Sequence, residues 1–144
     1  MTLFANQSRE AMRRAYLEAW QKFTAQQPLT ELQKQLAAVI AEHRQYHAWL
    51  AQDETALSQE FTPEEGQQNP FLHLGMHLAL REQVTTNRPA GIAAIHTKLT
   101  HRHGGAHDAE HRMMNALGTA MWEAQRLARA PDEASYLEAL QRLT

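Results

Sequence analysis

Apolar residues recur every three or four positions along most of the chain, and the points where that rhythm breaks divide it into helices. Met12, Ala15, Tyr16, Ala19, Trp20 and Phe23 keep the spacing of one helix face, with Ser8 placed as the cap and Pro28 closing the run. Thr30 and Gln33 read as a capping box, in which the threonine side chain and the glutamine side chain satisfy each other's backbone amides. They predict a second helix that carries Leu32, Leu36, Val39, Ile40, Tyr46, Trp49 and Leu50 to about Ala51. Asn69 before Pro70 joins a capping residue to a proline preset for the first helical turn, and predicts a third helix to about Thr86. Asn87 to Gly91 interrupts the pattern, and a short fourth helix with Ile92, Ile95 and Leu99 stops before Gly104 and Gly105. A fifth helix from about Ala106 to Ala128 and a sixth from Asp132 to Leu143 complete the expectation. Six helices with short links predict an all-α, single-domain helical bundle over residues 1–144.

Composition agrees with that pattern. The chain holds 24 Ala and 17 Leu against 3 Ile and 2 Val, a balance that favours helices and argues against sheets. No stretch is long and apolar enough to span a membrane, and the start lacks the apolar run of a secretory signal, which predicts a cytoplasmic protein. With 14 basic and 16 acidic side chains, the net charge of −2 carries no footprint for nucleic acid. Between Gln52 and Asn69 lie five carboxylates and no basic residue, so residues 52–69 read as an acidic connector whose length would suit a lid. Arg9, Arg13, Arg14 and Lys22 form a basic strip on the first helix, which reads as a solvated face or a contact in a homo-oligomer.

Cysteine is absent, which removes disulfides, thiol nucleophiles and cysteine zinc sites together. Nine histidines stand out instead. Scattered at random they would form about half a pair at four-residue spacing, the separation that places two side chains on one helix face. His43/His47, His73/His77 and His107/His111 put three such pairs on three predicted helices. His73 and His77 lie in an almost wholly apolar helix, where unpartnered imidazoles would be costly. His107 and His111 share a stripe with Met114, Leu117, Gly118 and Met121, while Asp108 and Arg112 fall off it. The two pairs therefore predict one interior metal site of His73, His77, His107 and His111, with His43 and His47 in reserve. Imidazole donors suit a divalent transition metal, and zinc, iron, nickel and copper all remain open. His96, His101 and His103 read as ordinary packed or surface residues.

His107 to His111 also spells H-x-x-E-H, the inverted zinc-hydrolase pattern, which makes Glu110 the candidate catalytic base or, alternatively, a partner that orients a histidine. Haem is a further nitrogen-ligand option, with Met76, Met113, Met114 or Met121 available as axial groups, although the chain has no covalent attachment motif.

The segments Asn69-Pro-Phe-Leu-His-Leu-Gly-Met-His-Leu-Ala-Leu-Arg-Glu-Gln83, His103-Gly-Gly-Ala-His-Asp-Ala-Glu-His-Arg-Met-Met114 and Met121-Trp-Glu-Ala-Gln125 resemble an uncharacterised family of small bacterial proteins known as a domain of unknown function. The likeness extends over nearly the whole chain and implies no activity for His73, His77, His107 or His111. It does imply a bend near His43, since the family usually has proline where this chain has Arg44. A looser resemblance, in arrangement only, is to DinB-like bundles that hold one metal with histidines from separate helices.

Three function classes follow. A metal-dependent hydrolase or transferase would act on a small-molecule substrate that the sequence does not name. A metal or haem sensor or store would close the same site. A metal-free interaction or scaffold protein would use the inner histidines as a buried hydrogen-bonded network.

Overall fold

The computed structural model describes residues 2–52 and 69–144, and of residues 2–8 the backbone only. The acidic connector and its expected lid therefore lie almost wholly outside the described residues. Among these, the structure is all-α, with no strand: α1 (Thr2–Thr24), α2 (Glu31–Ala41), a 3₁₀ turn (Arg44–Tyr46), α3 (His47–Leu50), α4 (Pro70–Thr86), α5 (Ile92–His103), α6 (Ala106–Arg126) and α7 (Glu133–Gln141). None of the helices is long and apolar enough to cross a membrane. The chain divides into two compact units, Met1–Gly75 and Met76–Thr144, and the division falls inside α4.

In the first unit, α1 packs against α2 around Tyr16, Leu17, Ala19, Leu36, Ala37, Val39 and Ile40, all buried. Ser8 does not cap α1. The helix begins at Thr2, and no proline or glycine precedes Ser8 to stop the backbone from continuing toward the N-terminus. The buried face is also rotated from the expected one. Met12 and Phe23 are exposed, whereas Leu17 is buried and Arg13, expected on a solvated strip, is 2% exposed. Its guanidinium lies 4.9 Å from the centre of the Phe71 ring, which Tyr16 and Trp49 also flank. Burying a cation is tolerable there because the ring face offers it a negative quadrupole.

The capping box of Thr30 and Gln33 forms as expected, with both reciprocal bonds present. The helix it starts ends at Ala41, ten residues short of the expected Ala51. Two histidine rings occupy the places where its ladder would continue. His43 Nδ1 donates to the Val39 carbonyl at 2.7 Å and His47 Nε2 donates to the Ile40 carbonyl at 2.8 Å. Both rings thus supply donors to carbonyls of the last turn, where the helix ladder runs out of amides, and the Ile40 carbonyl also accepts the His43 amide. His43 and His47 are therefore not a pair on one helix face, and the chain bends at the position that the family likeness implied.

From Asn69 onward the chain follows the sequence more closely. Asn69, which opens α4, accepts from the amides of Phe71 and Leu72, and Pro70 takes the first helical position. Gly104 ends α5 in the left-handed conformation, φ 82°, where glycine has no Cβ to strain. Asp132 caps α7 through the Ser135 amide. Ile92, Ile95 and Leu99 of α5, Ala109, Met113, Met114 and Leu117 of α6, and Tyr136 and Leu140 of α7 close over Leu80 of α4. Met121, expected on the inward stripe of α6, is exposed instead. The same core fixes the rotation of α4 and α6, and so decides which histidines meet.

Candidate metal centre

His77 on α4 faces His107 and His111 on α6. The His77 ring centre lies 4.7 Å from that of His107 and 4.9 Å from that of His111, and the two α6 rings are 4.4 Å apart. Each of the three offers a ring nitrogen, and these atoms lie within 4.8 Å of one another. A helix places His107 and His111 on one face because they are four residues apart. Ala109 and Met113, buried in the core beside them, keep that face turned toward α4. His77 is fully buried, His107 half-buried and His111 exposed, so the cluster runs from the interior of the unit to its surface. Asp108 and Arg112 point to solvent, as their positions predicted.

Behind His77 stands Glu110, 3% exposed. His77 Nδ1 donates to Glu110 Oε1 at 2.6 Å, a charge-assisted bond at the short end of its range. Arg81, one turn beyond His77 on α4, donates its Nε to Oε1 and Oε2 at 3.2 and 3.0 Å. Burial alone would raise the pKa of Glu110. Hydrogen bonds from His77 and Arg81, with the charge of Arg81, outweigh it and hold the carboxyl below its usual range. An ionised carboxylate only accepts, so His77 carries a proton on Nδ1, and in the neutral ring that leaves Nε2 as the lone-pair donor. The His111 imidazole is held below its ordinary pKa by partial desolvation and by its neighbours His107 and His77, against the pull of Asp108 and Glu110. At His111 this favours the neutral ring that a metal ligand requires.

Of the four ligands expected from sequence, the second unit thus brings together His77, His107 and His111. His73 lies in the first unit, its ring against His43 at 5.0 Å and Tyr46 at 6.2 Å. His47, the other reserve, lies tilted against Trp20, with ring centres 4.5 Å apart. Met113 and Met114, offered as axial groups for haem, are core residues. Arg81 was not singled out by the sequence reading; the signal for it is its four-residue spacing from His77, which puts both side chains on one face of α4.

Residues 8–142 match the model of a family described as a domain of unknown function, DUF1841. The chain belongs to this family. No curated protein and no solved structure matches it. The description of DUF1841 assigns no activity, so the chemistry of this member rests on its own residues.

Proposed function

We propose that this DUF1841 protein binds one divalent transition-metal ion through His77, His107 and His111. The observation that carries this reading is the 2.6 Å bond from His77 Nδ1 to Glu110. A carboxylate that holds the proton on one ring nitrogen, and so presents the other as a donor, is the usual support behind a metal-ligating histidine. Converging imidazoles with no thiolate suit zinc, iron, nickel or copper, whereas magnesium and calcium prefer oxygen. Tetrahedral zinc holds its nitrogens roughly 3.4 Å apart, from bonds of about 2.0–2.1 Å, so small side-chain rotations would close the three rings on the ion.

His77 supplies the buried, oriented donor, and His107 and His111 supply two donors one turn apart. Exposed His111 gives the site its access from solvent. Such an ion, when bound, supplies Lewis acidity and lowers the pKa of a coordinated water, which suits a hydrolase or transferase. In this reading Glu110 orients His77 and is not the base of an H-x-x-E-H peptidase, because both its oxygens already accept bonds from His77 and Arg81. His43, His47 and His73 belong to the first unit, and the proposal does not draw on them.

Zinc titration by calorimetry tests the reading. The wild type should bind one equivalent, His77→Ala should bind at least about tenfold more weakly, and His107→Ala/His111→Ala should show no site of comparable affinity. A wild type that binds no zinc, cobalt, nickel or copper ion would leave the three histidines as a hydrogen-bonded structural network.

A further inference from the structure

Arg81 is no part of the H-x-x-E-H pattern, yet it is the residue that holds that pattern's glutamate. Its Nε touches both carboxylate oxygens of Glu110, at 3.2 and 3.0 Å, across the gap between α4 and α6. A carboxylate gripped at both oxygens has little freedom to turn about its last torsion. Oε1 is thereby kept aimed at His77 Nδ1, 2.6 Å away. The three groups form one relay, Arg81 to Glu110 to His77, in which α4 supplies the two ends and α6 the middle.

We propose that Arg81 is a positioning residue of the metal centre: by fixing the Glu110 carboxylate it sets the tautomer of His77 and, through it, the affinity of the site. This deepens the metal-binding reading and rests on it for its consequence, but the tautomer itself is a property of the protein without metal. An arginine that served only to tie α4 to α6 would contribute to stability and leave the His77 proton where it is. Arg81 is also 30% exposed on its side chain, so its charge is partly solvated and its geometry matters more than its field.

Nitrogen-15 NMR of the imidazoles in chelator-treated protein, followed by zinc titration, separates these roles. Wild type should show His77 protonated at Nδ1 and bare at Nε2. Arg81→Met should show a mixture of the two tautomers and bind zinc about threefold to tenfold more weakly, less than the 10–100-fold typical of groups bonded directly to a ligand. Arg81→Lys, which keeps the charge but loses the fork, should fall between them; it also keeps the test intact should Arg81→Met not fold. An unchanged His77 tautomer in both variants overturns the proposal, whatever happens to their melting temperatures. A shifted tautomer in a protein whose wild type binds no metal upholds the positioning role and overturns the metal-binding reading alone.

Discussion

Glutamine at position 110 keeps the shape of the side chain and removes its charge and one acceptor. In the native protein two donors converge on this carboxylate, His77 Nδ1–H and Arg81 Nε–H. An amide offers one oxygen to them and turns an NH₂ group toward the other. The His77 bond is buried and charge-assisted, worth about 1.5–3 kcal/mol, and the amide recovers about 1 kcal/mol of it as a neutral bond. The Arg81 contact is partly solvated and adds only about 0.5–1 kcal/mol. The expected loss for Glu110→Gln is about 1–3 kcal/mol, or a fall in Tm of roughly 3–10 °C for a chain of this size. The assay is thermal unfolding of chelator-treated protein, followed by circular dichroism at neutral pH. Acid sharpens it. Because the folded carboxyl lies below its unfolded value of 4.5, its contribution is fully present above that pH and is lost as the pH falls through the folded value. The gap between wild type and variant should therefore be widest near neutrality and narrow as the pH falls below 4.5 toward the lower folded value. Equal melting temperatures at pH 7, or a gap that persists undiminished in acid, would refute the reasoning.

Other consequences are more local. Tyr136 donates to Gln83 Oε1 at 2.7 Å, and burial pushes its pKa up to about 12. The neutral phenol is thus favoured in the fold, and its contribution is complete below pH 10 and lost as the pH rises toward 12. Tyr136→Phe should cost about 1 kcal/mol in urea unfolding at pH 8 and flatten the alkaline loss of stability. Thr30→Ala removes the capping box of α2 and should cost about 1 kcal/mol, with Thr30→Ser close to wild type in the same assay. Gly104→Ala meets no atom within 4 Å of the new Cβ, so its cost, about 1 kcal/mol, should be the backbone strain of φ 82° alone. Asn at that position, which tolerates the left-handed region, should recover part of it in thermal melts.

What could be read from the sequence was what is set within a few residues. Asn69-Pro70, Thr30-x-x-Gln33 and Gly104-Gly105 each carry their own hydrogen-bonding or steric instruction, and α4, the start of α2 and the break before α6 appear where they place them. The end of α2 depends on two histidine side chains reaching back to Val39 and Ile40 carbonyls, which apolar periodicity does not register. Arg13 reads as surface charge until Phe71, fifty-eight positions away, covers it. The candidate site divides in the same way. Spacing alone paired His107 with His111 and marked Glu110 as a possible orienting partner of a histidine. His73 and His77 share one face of α4, so spacing does not tell them apart; only tertiary packing brings His77 to His107 and His111 and His73 to His43. Arg81 acquires meaning only once α6 supplies Glu110.

The central claim is that His77, His107 and His111 hold an ion, and its most direct test is the metal content of protein purified without a histidine tag. Elemental analysis should find close to one divalent transition-metal ion per chain in the wild type and a small fraction of that in His107→Ala/His111→Ala. Equal, substoichiometric metal in both proteins, with no uptake when the wild type is supplied with zinc, cobalt, nickel or copper, would contradict it.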